Sequence, residues 1–339
     1  MNENEKKESL SDMNAIALEE HFTAPHLTSK IDPAAIKARG FRPRKLPPDR
    51  NPMAMLPEIG EKRMANMDEN GIAMQVLSHS GPGCDLVPGP DGVALASSIN
   101  DYLASKVKEN PHRFRGFAHL PMREPQAAAR ELQRAVRELG LVGAMVDGTC
   151  NGLFLDDPIY DDLLSCAEEL DVPIYVHPHL APPAVREIYY SRLPDGADRL
   201  LETGGWGWHS ETAIHILRLV VSGRLDKHRR LKLIIGHMGE MLPVMMARFD
   251  EMFANDIEHL ERGISETIRD QLWITTSGIF TQTPFKAALE IFGIDRIMFS
   301  VDYPFSRSES AKEFLQNVQL PKEQYDKLAF GNAKALLKL

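Results

Sequence analysis

Short apolar runs, rich in β-branched residues, alternate with amphipathic stretches along most of the chain. Eight of these runs are bounded by turn residues, the pattern of buried parallel strands joined by helices. Residues 126–139 show the helical pattern, with Ala128, Leu132, Val136 and Leu139 on one face. The predicted strands are residues 15–18, 73–78, 114–120, 142–146, 173–177, 231–236, 272–276 and 296–301.

This alternation predicts an α/β fold, a (β/α)8 TIM barrel. With 339 residues and 43% hydrophobic content, we expect one domain over residues 14–339. Residues 1–13 lack an apolar stretch, so we expect a disordered tail and no secretory signal. Residues 24–55 and 178–208 are too long for simple connectors and are expected at the mouth, on the C-terminal face of the barrel. The alternative is a surface insertion that covers a helix or builds a subunit interface.

The formal charge of -9 argues against nucleic acid or an anionic membrane as partner and favours a small-molecule substrate. No apolar run approaches the roughly 18 to 20 residues of a membrane span. Cys84, Cys150 and Cys166 form no CxxC pair, which predicts reduced thiols in a cytoplasmic protein.

Four of the apolar runs lead directly into a side chain that can bind a metal. The first leads into Glu19 and His21, and others end at His177, His237 and Asp302. Imidazole nitrogen and carboxylate oxygen together suit a divalent metal of the Zn or Mn type. Alternation along a strand places Glu19 and His21 on the same side, which can be the barrel interior. Taken singly, His177 or His237 would more often be a hydrogen-bonded structural residue than a ligand, but the joint occurrence of the donors favours a metal site.

His237 belongs to the segment GHMGE, in which Glu240 follows three residues later. That spacing lets the carboxylate fix the orientation of the imidazole, as a catalytic His requires. We therefore expect His237 to act as an acid, a base or a polarising group. Glu240 could instead, or in addition, stabilise a helix N-terminus. His79, in SHSGPG after the second strand, is a further candidate for the pocket.

Several segments together resemble the amidohydrolase-2 family, and within it the metal-dependent aromatic acid decarboxylases. They include ALEEHF, RMANMDENGI, LDVPIYVHP, LKLIIGHMGE, ITTSG and DRIMFSVDYPF, and the similarity runs from about Ile16 to the end of the chain. Many relatives carry HxH in the first strand, whereas this chain has Glu19-Glu20-His21, the form typical of hydroxybenzoate decarboxylases. The resemblance thus implies decarboxylation without oxidation, and possible reversal as carboxylation.

The resemblance also implies roles for individual residues. Glu19, His21, His177 and Asp302 would bind one Mn or Zn ion, and His237 and Glu240 match the catalytic His and its partner. The acid's carboxylate and ortho hydroxyl would chelate the metal, and Asp302, or a group that it orients, would protonate the ring carbon before CO2 leaves.

The expected substrate contacts come partly from the same resemblance. Arg248 aligns with an Arg that can meet the carboxylate across a subunit interface, so a homodimer or homotetramer is implied. Arg63 and Phe22 are further candidates for substrate binding, although either Arg could also form a surface ion pair. Asp147 stands where γ-resorcylate decarboxylases have Asn.

Two loop departures leave the substrate open. His79 and Cys84 lie in a loop that differs from those of relatives. Trp206 and Trp208, in the segment GGWGWH, could stack on a ring or anchor their loop in an interface.

Two other functions stay open from sequence. A hydrolase or hydratase of the same family would attack a lactone, amide or alkene with metal-bound water. A silent, metal-stabilised barrel could bind aromatic acids as a sensor. The first residue of the ExH pair argues against the former, and the intact ligand set argues against the latter.

Overall fold

The computed structural model describes residues 14–40, 46, 51–194 and 196–339, so the predicted tail at 1–13 lies outside the described residues. Nine strand segments form the centre of the molecule. In chain order they are β1 Ala15–Phe22, β2 Ile72–His79, β3 Phe114–Gly116, β4 Ala118–His119, β5 Ala144–Asp147, β6 Ile174–His177, β7 Leu233–Ile235, β8 Leu272–Thr275 and β9 Ile297–Met298.

The strands form a closed parallel barrel, as the sequence predicted. β1, β2 and β3 pair in one sheet and β4 to β9 in another, with every pairing parallel. β3 and β4 are two parts of one barrel strand, interrupted at Phe117, whose N–H still donates to the Leu77 carbonyl (2.9 Å). The ring closes where the His21 N–H donates to the Tyr303 carbonyl (2.7 Å). Counted this way, the barrel has the eight strands that the pattern predicts.

Helices surround this barrel, and shorter ones lie in the long loops. They are α1 Pro25–Thr28, α2 Pro33–Ala38, α3 Pro52–Met55, α4 Glu61–Glu69, α5 Gly89–Glu109, α6 Pro125–Arg137, α7 Asp161–Leu170, α8 Pro183–Tyr189, α9 Ala197–Glu202, α10 Gly207–Val221, α11 Arg224–Lys227, α12 Met246–Phe253, α13 Ile264–Gln271, α14 Gln282–Phe292, α15 Ser308–Asn317, α16 Lys322–Asp326 and α17 Asn332–Leu337. Among the residues described, no helix combines the length and the apolar character needed to cross a bilayer.

Two apolar clusters explain why these elements pack as they do. The smaller fills the barrel interior with one side chain from most strands, and Leu336 and Leu337 of α17 pack into the same cluster. The larger lies between the outer barrel surface and the helices. The interior is therefore a filled core, which leaves only the ends of the barrel for a site. Members of the interior cluster include Ile16, Leu18, Val76, Phe117, Met145, Tyr175, Ile234 and Met298.

Two strands differ most from their predicted bounds, and both differences concern the site. β1 continues to Phe22, so Glu19 and His21 lie within it rather than after it. β9 is only two residues long. Beyond β9, side-chain hydrogen bonds replace the regular backbone pairing of the barrel. The Thr276 hydroxyl donates to the Ser300 carbonyl (2.9 Å), and the Ser300 hydroxyl accepts from the Leu18 N–H of β1. Hydroxyl-mediated bonds of this kind carry no signal in hydrophobic periodicity.

Candidate metal centre and active site

A bulge in β1 determines which side chains enter the barrel. Its pairing with β2 shifts register between Ala17 and Glu20, so three residues of β1 span the distance of two on β2. Because the extra residue changes the alternation, Leu18 and Glu19 both face inward, and His21 follows on the same side. Glu20 points outward, where it accepts from the Val301 N–H (2.9 Å). Glu19 and His21 thus point to the same side of β1, as predicted.

Glu19, His21 and His177 converge at the C-terminal end of the barrel. One potential ligand atom from each lies within 4.8 Å of the other two. Nε2 of His177 is 3.4 Å from Oε1 of Glu19, and Nε2 of His21 is 3.3 Å from Oδ1 of Asp302. Oε1 of Glu19 and Nε2 of His21 are buried without a hydrogen-bond partner among the described residues. Buried polar atoms normally have partners, so this donor set fits a divalent cation between them.

A second set of side chains fixes these donors in place. The hydroxyls of Tyr175 and Ser277 both donate to Oε2 of Glu19, which leaves Oε1 for the centre. Nδ1 of His21 lies 3.1 Å from the Ser78 hydroxyl. Such partners set the tautomer and orientation of metal-binding residues. Sequence reasoning missed them, although Tyr175 stands two residues before His177 on the same strand and Ser277 belongs to the quoted ITTSG segment.

Gly236 makes room for this arrangement. A Cβ atom at Gly236 would collide with Oε2 of Glu19 and lie 2.7 Å from the Ser277 hydroxyl. A larger residue would therefore displace the carboxylate that the two hydroxyls hold. This explains why a glycine separates the apolar run of β7 from His237.

Asp147 pairs with His177 rather than facing the cavity freely. Nδ1 of His177 donates to Oδ1 of Asp147 at 3.0 Å. Burial opposes ionisation of this carboxyl, but the hydrogen bond and charge of His177 hold its pKa well below the ordinary value. Asp147 thus orients His177 as a carboxylate, a role that Asn at this position would fill without charge.

His237, Glu240 and His209 form a hydrogen-bonded row beside the metal centre. Nδ1 of His237 donates to Oε1 of Glu240 (2.8 Å), and Nδ1 of His209 donates to Oε2 (2.5 Å). The predicted pairing of His237 with Glu240 is present, whereas His209 was not predicted. Burial lowers the pKa of His237, but the charge of Glu240 and the other nearby carboxylates outweighs it and holds that pKa well above the ordinary value. Unlike the first cluster, the atoms of this row satisfy one another.

The backbone around the row adopts conformations that L residues seldom take. φ is +48° at His237, +52° at Glu240 and +71° at Asp302. Residues other than glycine reach this region at a cost of order 1–3 kcal/mol each, which the surrounding fold must offset. Nε2 of His237 lies 3.9 Å from Oδ2 of Asp302. Burial opposes ionisation of Asp302, yet the adjacent rings of His21 and His237 lower its pKa to about 2.

A cavity of 140 Å³ is bordered by His21, Asp147, His177, His237 and Asp302. Cavities of about 150 Å³ are known to hold one benzene ring, so the volume suits a single aromatic ring. Ile36, Arg39 and Met53 come from residues 24–55, and Pro178, His179, Leu180 and Trp208 from residues 178–208. The prediction that both long segments reach the mouth of the barrel is therefore confirmed.

Two residues that border this cavity have ring nitrogens without a protein partner. Both ring nitrogens of His79 and Nε1 of Trp208 are buried and unpaired within the described part of the chain. Phe305 also borders the cavity, with its ring 5.5 Å from that of His21. His79 borders the cavity, as predicted from the sequence. Trp206, by contrast, is 50% exposed and does not border the cavity.

The structure does not bring Arg63 or Phe22 to the cavity surface. Arg63 lies fully buried on the outer side of β1 and donates to the carbonyls of His21 (2.6 Å) and Glu58 (2.9 Å). Its guanidinium is thus engaged by backbone carbonyls outside the barrel and cannot contact a ligand inside it. The Phe22 ring is fully buried against the edge of His79, at 5.4 Å, and can act on the cavity only through that residue.

Arg39 is a cation that sequence reasoning missed. Its guanidinium forms an ion pair with Asp85 and its Nε donates to Nε2 of His179 (2.9 Å). It therefore joins three loops at the mouth of the cavity: those after β1, β2 and β6. Its position depends on how these distant loops meet, which local sequence does not indicate.

A closed parallel barrel with His and carboxylate donors at its C-terminal end defines a class of metal-dependent barrel enzymes. The amidohydrolase family matches residues 25–339, and the chain belongs to that family. The γ-resorcylate decarboxylase of a Polaromonas species is 39% identical over 96% of this chain and 98% of its own length. The resemblance inferred from sequence is confirmed.

Solved structures agree with this assignment. A dihydroxybenzoic acid decarboxylase from Polaromonas, with bound manganese and the inhibitor 2-nitroresorcinol, has a TM-score of 0.85 at 36% identity and covers 96% of this chain and 97% of its own. A 2,6-dihydroxybenzoate decarboxylase in complex with 2,6-dihydroxybenzoate has a TM-score of 0.82 at 34% identity, covering 96% and 99%. The barrel fold is thus confirmed by comparison as well.

Proposed function

We propose that this protein decarboxylates an aromatic acid that carries a hydroxyl group ortho to the carboxylate, with one divalent metal bound by Glu19, His21, His177 and Asp302. The chain is a carboxy-lyase, like the relatives that share its full length. The observation that carries the proposal is the pair of buried, unpartnered atoms, Oε1 of Glu19 and Nε2 of His21, which point at one spot beside a ring-sized cavity.

Manganese is the metal we propose first, because a similar decarboxylase binds it, with zinc as the second candidate. A bound cation would supply positive charge that holds the acid's carboxylate and hydroxyl oxygens and withdraws electron density from the ring. The chain's own part is to keep the donors aligned: Tyr175 and Ser277 hold Glu19, and Asp147 holds His177.

Asp302 is the residue proposed to move the proton. It accepts the hydrogen of the acid's hydroxyl group and delivers it to the ring carbon that bears the carboxylate. A C–H bond forms there from a ring π pair, the C–C bond to the carboxylate breaks, and its electrons restore aromaticity as CO2 leaves. The product phenolate then takes a proton from solvent. His237, 3.9 Å from Asp302, is placed to hold or polarise the acid during this step.

His79 and Trp208 are the proposed contacts to the rest of the ring. Both border the cavity and have ring nitrogen atoms that are buried without a partner in the described part of the chain. A hydroxyl or other oxygen substituent on the substrate would satisfy them, since buried polar groups without partners are costly. The burial of Arg63 removes it from the proposed binding residues.

The test is to add Mn or Zn to metal-free protein and assay a panel of salicylate-type acids for substrate loss and released CO2. We expect CO2 release only with metal, and fastest from acids with a second ring oxygen. Metal binding without CO2 from any acid would contradict the proposal and favour hydrolysis or hydration by this family member. A matched control is the Asp295→Asn protein, changed at an exposed carboxylate far from the cavity, which should behave as the parent.

A further inference from the structure

We infer that His209 is a positioning residue that sets the orientation of His237 through Glu240. The inference rests on the proposed function, because His237 is assigned its role there. It concerns a residue in the first turn of α10 that has no role in the reaction described so far. The row consists of the His237 imidazole, the Glu240 carboxylate and the His209 imidazole, linked in that order by hydrogen bonds.

Glu240 is the link between the two rings. Its carboxylate is almost completely buried, and each oxygen has one imidazole partner: His237 on Oε1 at 2.8 Å and His209 on Oε2 at 2.5 Å. A buried carboxylate with a single partner would have one oxygen free to rotate toward other donors. With both oxygens engaged, the carboxylate plane is fixed, and so is the direction in which it holds His237.

His209 is itself held from its far side. Its Nε2 lies 3.0 Å from the Gly204 carbonyl, so both ring nitrogens face oxygen acceptors. The ring is therefore held on both sides, and its hydrogen bond to the buried Glu240 carboxylate has a fixed direction. The His237 and His209 rings also meet edge to face, 4.9 Å between centroids.

This arrangement determines which nitrogen of His237 faces the reacting groups. With Nδ1 committed to Glu240, Nε2 is left toward Asp302 and the cavity. Backbone strain of the kind seen at His237 and Glu240 persists only where the surrounding structure holds it. His209 supports the orientation of His237 from an independent element, α10, outside the strained segment.

The experiment compares His209→Ala with His209→Asn, whose side-chain amide can donate from about the place of Nδ1. We expect His209→Ala to lower kcat about 10- to 100-fold, as for other residues that orient a catalytic group. KM, metal content and melting temperature should stay close to those of the parent. His209→Asn should recover most of the loss. His259→Ala is the matched control, because His259 also donates to a carbonyl, that of Val221, but on the exposed surface.

Two readouts separate positioning from a general structural effect. If His209 acts through Glu240, then His209→Ala should add no further loss in a Glu240→Gln background; additive losses would overturn the inference. In ¹⁵N-histidine spectra, the ring resonances of His237 should shift in His209→Ala and return in His209→Asn. Unchanged resonances would also overturn it. The spectra need no turnover, so a failure of the proposed decarboxylation would be recognised separately.

Discussion

Asp302 combines two contacts that a proton-transferring carboxylate needs. Oδ1 lies 3.3 Å from His21 and Oδ2 lies 3.9 Å from His237, so one oxygen faces a proposed metal ligand and the other the proposed acid–base residue. We expect Asp302→Asn to lower decarboxylation by about 10²–10⁴-fold, the usual contribution of a general acid or base. Some metal should remain bound, since Glu19, His21 and His177 are intact.

CO2 release and metal content, measured on the same preparation, check this prediction. Asp295→Asn serves as the control, because Asp295 pairs with Lys327 on the surface. Turnover equal to that of the parent would rule out the proton-transfer role of Asp302. Loss of all metal would show instead that Asp302 acts chiefly as a ligand.

The residues predicted from sequence differ in outcome for a physical reason. Glu19, His177 and Asp302 follow strand direction, and parallel strands bring their C-terminal ends together whatever the loops do. Arg63 was wrongly favoured as a cavity residue because sequence does not tell which side of β1 its helix covers. His209 was missed because its partner Glu240 is 31 residues away, and only the tertiary fold brings the two together.

At the scale of elements, α10 also holds the loop that follows β5. His215 of α10 accepts the Leu155 N–H at Nε2 (3.0 Å) and is nearly fully buried. Burial lowers its pKa from 6.5 to about 4. The ring therefore binds a proton more weakly in the folded protein than in the unfolded chain. Acidification from pH 6.5 to 4 should destabilise the fold through this residue by on the order of 3 kcal/mol, whereas the contribution is fully present above pH 6.5.

His215→Gln keeps an acceptor for the Leu155 N–H but removes the titrating ring. We expect its melting temperature to fall less than that of the parent between pH 7 and pH 4.5, as measured by calorimetry on both proteins. His259→Gln, at an exposed position, should follow the parent. Equal falls in His215→Gln and the parent would contradict the prediction.

The β1 bulge is the element-scale feature that periodicity could not supply. Period-two alternation alone would place Leu18 and Glu19 on opposite faces, yet both face inward. The sequence suffices for the alternation between Glu19 and His21, because side chains alternate regularly from Glu19 onward. The sequence does not predict the bulge, which lets β1 supply both Leu18 to the apolar core and Glu19 to the polar site.

For the whole molecule, the resemblance implies an oligomer in which Arg248 serves a neighbouring subunit. Arg248 lies on α12, is more than half exposed and contacts Glu251 (3.0 Å). Val244 and Met252, which flank it, are 72% and 54% exposed. Exposed apolar side chains around a cation are typical of a surface that another chain covers. We propose that a second copy does so, and that its cavity receives Arg248.

A mixing experiment tests this directly. Arg248→Ala should lower kcat/KM about 10- to 100-fold through loss of a charged hydrogen bond, and Asp302→Asn should be nearly inactive alone. After subunit exchange, hybrids contain one cavity with Asp302 intact and Arg248 supplied by the partner, so activity should rise above that of either parent variant. No gain on mixing, or a single-copy mass in solution, would contradict the proposal. Arg307→Ala, at an exposed arginine, is the control.

Closure of the barrel joins residues that are far apart in the chain: the Ser300 hydroxyl binds the Glu19 N–H across 281 positions. The metal donors are divided in the same way, with Glu19 and His21 near one end of this span and Asp302 near the other. A folding intermediate, or a nascent chain still lacking its last strand, would therefore possess only part of the ligand set. We therefore expect metal binding at full affinity to appear only in the final step of folding, so that its onset reports the closure of the barrel.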